Sequence, residues 1–275
     1  PPVKGKAPPP ASPPAQAKTA ETTKPFDASK LGQRDATSDK EVARVNERCV
    51  SDPFSREGPS PAENAKCTAA VARLVARGKK AAPSILAALN EKNEDRSYYA
   101  SNRLLFALGK VDDKKVRQAV ADGFVAIAKA EMDDQTDIIY QIPDALEAMM
   151  GAAPEVDAPW KASSVTDSWE EHRQTAARWK AFVAANEGKS RKQISQDRFA
   201  QARKDKADAD AEKAYRAISF LVSRSPNEAL KAAKAYQKRD DLDDDVASEF
   251  ESLQSQAEMH IEEQQARAAR AKAKS

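Results

Sequence analysis

The sequence predicts an all-α protein built from stacked helical pairs, and three observations carry that expectation. The 275 residues include only eight glycines and 6% aromatics, while charged residues reach 32%. Alanine, lysine, glutamate, glutamine and leucine are strong helix formers, and the β-branched and aromatic runs that strands favour are scarce. Apolar residues recur at three- and four-residue spacing, bounded by glycine, proline and serine signals of helix ends. Large apolar residues are thinly spread among charges, which suits thin layers of amphipathic helices better than one deep core.

Residues 1–25 hold eight of the sixteen prolines and predict an extended, mobile tether, which polar residues continue to about 37. Helical periodicity begins near Asp39, with Val42, Val45 and Cys49 on one face. A second helix runs from about Ala62 to Arg77, with Ala65, Thr68, Val71, Leu74 and Val75 on a common face and Gly78 as its stop. Pro83 suits the first turn of a third helix carrying Ile85, Leu86 and Leu89.

Next come YYASNRLLFALGK and VDDKKVRQAVADGFVAIAKAE. Leu104, Leu105 and Leu108 precede Gly109, Asp112 or Asp113 can cap the following helix, and Val116, Val120, Phe124 and Ile127 keep helical spacing. Ile138 to Met149 continues the pattern to Gly151, with Pro143 marking either a kink or a start. Residues 152–168 read as a loop. Trp169, His172, Ala176, Trp179 and Val183 then share an arc of a helix ending near Gly188.

The C-terminal third is more highly charged. DRFAQARKDKADADAEKAYRAISFLVSR reads as one long helix, Ser225-Pro226-Asn227-Glu228 as a strong helix start, and Leu242, Val246, Phe250, Leu253, Ala257 and Ile261 as the stripe of a last helix. A basic tail from about Ala266 is expected to fray.

The run RLLFALGKVDDKKVRQAVADGFVAIAK is similar to a HEAT-repeat unit: an apolar helix, a glycine, an acidic turn, a valine and a second apolar helix. The helix-stop glycines Gly78, Gly109, Gly151 and Gly188 lie 31, 42 and 37 residues apart, compatible with HEAT-like repeats. The resemblance to bacterial α-solenoid proteins of this type covers about half the chain. It implies HEAT-like repeats over 38–188; a second αα unit, which resembles a tetratricopeptide-like hairpin or a short coiled packing pair, is read over 189–265, followed by a tail at 266–275. RWKAFVAAN resembles the Trp-bearing closing helix of such proteins, which implies a capping role for Trp169 and Trp179.

Net charge is +2, but residues 1–25 alone carry +3, leaving the remainder near neutral with both signs mixed. That distribution argues against nucleic-acid binding. No apolar run reaches 18 residues, so no transmembrane segment is expected. The Pro/Ala/Lys opening resembles the leader of processed exported proteins, including lipoproteins, and a peripheral membrane tether through the N-terminus follows from that reading. Cys49 and Cys67, eighteen residues apart around a turn-rich segment, form a disulfide candidate of an exported protein; two buried thiols of a cytosolic one are the alternative.

Chemistry is sparsely represented. Two distant histidines, His172 and His260, lack zinc-ligand spacing, and no phosphate-cradling glycine loop or nucleophile elbow occurs. An EF-hand starting at Asp241 fails at Val246, where glycine is required, and at Ser252, where glutamate is required. The sequence therefore predicts no enzyme, cofactor or metal site. It predicts an interaction or structural scaffold of a bacterial envelope, periplasmic or lipoprotein-like, whose partner is another protein or a multi-protein complex; a cytosolic helical-repeat adaptor is the first alternative and an enzyme with an unrecognised helical site the second.

Overall fold

A computed structural model describes residues 24–49, 60–91, 98–132, 135–155 and 168–272. Every regular element among them is helical. Residues 1–23, most of the predicted tether, lie outside the described residues, as do 156–167 of the predicted loop.

The helices are α1 (Ala36–Arg48), α2 (Pro61–Arg77), α3 (Ala82–Asn90), α4 (Tyr98–Gly109), α5 (Lys114–Ala130), the short α6 (Thr136–Ile139) and α7 (Ile142–Met150). They continue with α8 (Ser168–Ala185), α9 (Arg191–Asp205), α10 (Ala211–Val222), α11 (Pro226–Tyr236) and α12 (Asp244–Lys272). Local chemistry explains the boundaries. Asp35 caps α1 through the Thr37 and Ser38 amides, and Ser60 and Glu63 close a capping box on α2. Asp113, rather than Asp112, caps α5. Pro143 starts α7 instead of kinking a longer helix, because its missing donor costs nothing in a first turn.

The helices pack pairwise, consistent with a helical-repeat stack: α1 packs on α2, α3 on α4, and α5 on α7. The second members form a row in which α2 touches α4, α4 touches α7, and α7 touches α9. Gly109 does not leave α4 with positive φ, unlike Gly78 at 56° and Gly151 at 75°. Its role is proximity: a Cβ there would stand 3.0 Å from that of Ala148 on α7, so the missing side chain sets the α4–α7 distance. Val45, Leu74, Leu86, Leu104, Phe124, Ile139 and Leu146 are among the side chains that fill the core between the layers.

Four expectations need correction. Residues 24–37 do not continue a tether: Phe26 is 1% exposed, exchanges hydrogen bonds with the Asn90 side chain, and packs against Gly123. A 3-10 turn at Ser29–Leu31 touches both α3 and α5, so this segment wedges between them. The buried face of α2 is Cys67, Ala70, Val71 and Leu74, with Ala65 and Thr68 exposed, because Cys67 must face α1. The long charged helix is two helices, α9 and α10. Ser190 and Gln193 box the start of α9, and Asp210 caps α10 through the Lys213 amide. The basic tail does not fray at 266: α12 runs to Lys272, in keeping with its alanine, lysine, arginine and glutamate content.

α9 belongs to both halves of the chain. Ile194 lies in the first core and Ala202 in a second, built by α9 to α12 around Ile218, Leu221, Phe250 and Leu253. Tyr236 stacks on Phe250 at 4.4 Å. Ion pairs join the halves: Arg224 reaches Glu147 at 3.0 Å, and Glu155 meets both Arg198 and Arg216.

Candidate functional site

Cys49 and Cys67 are joined as a disulfide between the end of α1 and the second turn of α2. Both are buried, at 0% and 1% exposure, and so lie within the α1–α2 contact rather than on a reactive surface. Across the same α1–α2 contact Glu41 sits between Arg44 and Arg73, bonded to Arg73 Nε at 2.8 Å. Burial pushes the Glu41 carboxyl upward, but the bond from Arg73 and the charges of Arg44 and Arg73 outweigh it, leaving it below the ordinary range. This pair is a structural tie.

The two tryptophans differ. Trp179 is 3% exposed, with its ring against Phe182, on the face of α8 that covers α5. Trp169 is half-buried and stands edge-on to His172, whose ring also meets Tyr140 at 4.7 Å. Burial depresses the His172 imidazole and the neighbouring Glu171 opposes it. The aromatic triplet is a packing arrangement at the helix rim. No His, Cys, Asp and Glu group among the described residues has metal-holding geometry. The predicted acidic start of α12 is present, with Asp244 and Asp245 in its first turn and Asp241 held by Arg239.

Two concavities stand out on the stack. One, of ≈ 830 Å³, lies between the Ser29–Leu31 turn and the starts of α3 and α5. It carries Lys30, Arg77, Lys79, Lys80 and Lys115, and its carboxylates, Asp35 and Asp113, are already engaged as helix caps. The other, of ≈ 510 Å³, is an apolar groove between α2 and α4 on the α2–α4–α7–α9 row. Val71, Val75 and Phe106 form its floor and Arg103, Lys110 and Arg191 its rim.

Phe106 is 45% exposed although α4 buries Leu104, Leu105 and Leu108 around it. Tyr98, Asn102, Phe106 and Lys110 follow at four-residue intervals, so they make one outward stripe along α4. Sequence reasoning missed this stripe because Leu104, Leu105 and Leu108 define the stronger apolar face of α4. The signal that could have found it is a bulky aromatic placed off the apolar face of an otherwise amphipathic helix. Arg103 lies over the Tyr99 ring at 4.5 Å and bonds its hydroxyl, and Lys110 lies over Phe106 at 4.6 Å.

Fold and surface together define an all-α protein of pairwise-packed helices with an apolar, cation-rimmed groove on one layer. No described helix is long and apolar enough to cross a membrane. No family model, curated protein or solved structure matches the chain.

Proposed function

We propose that this chain is a non-catalytic, HEAT-like scaffold that binds another protein through its α2–α4–α7–α9 row. The observation that carries the reading is Phe106: a large aromatic left half-exposed in an apolar groove, on the same outward stripe of α4 as the exposed Tyr98. Exposed aromatics set in packed grooves are the usual anchors of protein interfaces. In this reading Trp179 seals α8 onto α5 and closes the outer layer, Trp169 finishes its rim, and the α9–α12 bundle covers the far end of the stack.

An exported, envelope-associated setting agrees with the Cys49–Cys67 disulfide, since such bonds persist in oxidising compartments and are rare in the cytosol. That is what favours the envelope over a cytosolic adaptor. The proline-rich leader serves as the spacer to a membrane or to a larger assembly.

Site-specific photocrosslinking in the cells that make the protein tests the interface. A crosslinker replacing Phe106 is expected to yield an adduct of one defined size, while one replacing the exposed Lys180 on the opposite layer yields none. Adducts at neither position would remove the basis for the scaffold reading. Alkylation of unreduced cell fractions tests the compartment: free Cys49 and Cys67 thiols in the native protein would place it in the cytosol.

A further inference from the structure

The chemistry of the α2–α4 groove specifies what fills it. Its floor is apolar, and its rim presents three cations. Among the described residues none of Arg103, Lys110 and Arg191 has a carboxylate partner. Other cations along the same row, Arg73 and Arg77 on α2 and Arg203 on α9, do pair with acids. The Arg103 guanidinium is held in place against Tyr99, yet its buried Nε has no hydrogen-bond acceptor. Held cations without anions around an apolar floor complement an apolar side chain flanked by carboxylates.

The walls of the groove narrow the choice further. Both are α-helices, whose interior backbone groups are satisfied within themselves, so neither wall offers the open edge on which an extended peptide could add a strand. A helix satisfies its own backbone and so needs only side-chain contacts from these walls. We propose that the groove receives an acidic amphipathic helix of a partner protein, its apolar face on Phe106 and Val75 and its carboxylates toward Arg103, Lys110 and Arg191. The proposal rests on the scaffold reading above and names the partner chemistry of that same surface.

The full chain and a fluorescent amphipathic peptide, with leucine and phenylalanine on one face and glutamate on the other, test it by anisotropy. Saturable binding is expected that weakens about tenfold or more in Phe106→Ala, the scale of an interface anchor. Binding should also weaken in Lys110→Glu and at high salt, because both act on exposed charges. Lys110→Glu should in turn improve binding of the same peptide with lysine replacing glutamate. Both positions are exposed, so unchanged thermal melts will show that the variants fold.

Equal binding of the glutamate- and lysine-faced peptides, or binding indifferent to both variants, overturns the proposal. So does occupation by something else. That would appear as a Phe106-dependent dimer in sedimentation, a leader peptide of residues 1–23 binding at Phe106, or Lys110-dependent binding to vesicles of phosphatidylglycerol and phosphatidylcholine. If the peptide fails while the Phe106 crosslink still captures a defined partner, the acidic chemistry is wrong and the scaffold reading stands. If both fail, both fall.

Discussion

Phe26 and Gly123 form the most instructive pair of residues in the molecule. A glycine inside a helix costs about 1 kcal/mol relative to alanine, and Gly123 sits in the middle of α5. A Cβ there would stand 2.1 Å from Phe26 Cδ1, an outright clash, so the missing side chain is what lets Phe26 bury itself between α3 and α5. Phe26→Ala should destabilise by about 3–5 kcal/mol. Gly123→Ala should destabilise the wild type but stabilise a Phe26→Ala background, by up to ~1 kcal/mol, through helix propensity. Urea unfolding of the two single variants and the double variant reads that change of sign directly. The tryptophans supply a second contrast at this scale. Trp179→Ala should cost about 3–5 kcal/mol, as a fully buried aromatic does. Trp169→Ala should cost clearly less, because its ring is only half-covered. Equal melting shifts for the two would contradict the packing of α8.

At the scale of the element, the caps explain where helices begin, and one expected cap does not act as such. Ser60 and Ser190 each accept from the backbone amide three residues on and are backed by Glu63 and Gln193. Ser225 occupies the same position before α11 but makes no side-chain capping bond. Ser60→Ala and Ser190→Ala should therefore each cost about 1 kcal/mol, and Ser225→Ala a few tenths at most. By its spacing, the glutamate three residues after Ser225 fits the second half of a capping box. Instead Glu228 accepts from Arg203 Nε at 3.1 Å and from Lys206 Nζ at 2.9 Å, tying α11 to α9. Those hydrogen bonds, Arg203 first, hold the Glu228 carboxyl at about 2 against an ordinary 4.5. A depressed carboxylate stabilises fully above its unfolded value and loses that contribution as pH falls through the folded one. The wild-type melting temperature should thus drop more than that of Glu228→Gln between pH 5 and pH 2; parallel curves would show the tie to be energetically silent.

Over the whole molecule, the disulfide closes the first helical pair, and its removal should be felt globally. In the chain-entropy picture an eighteen-residue separation is worth roughly 3 kcal/mol. Chemical denaturation with and without reductant should differ by that order, and the buried sulfurs should resist reductant until the chain unfolds. Much of this architecture was legible beforehand. Helical class and the α4–α5 unit follow from local rules, since 3.6-residue periodicity and capping chemistry act over a few residues; the same rules narrowed the α5 cap to Asp112 or Asp113 and Pro143 to a kink or a start, and the structure chose Asp113 and the start. The Ser190–Gln193 box and the Asp210 cap are equally local, but the first stands ahead of the charged run at 197–224 and the second inside it, where an unbroken series of charges carries no mark of an interruption. The placement of Phe26, the close approach at Gly109, the burial of Cys67 instead of Thr68, and the cation-rimmed groove around Phe106 were a different matter. Each depends on residues tens of positions apart meeting across a helix interface. By itself the sequence determined which segments would be helices and roughly where they would stop. Only the tertiary structure decided which face of each is covered, because a helix with charges and alanines all round can bury several alternative arcs, and the choice is made by the neighbour it packs against.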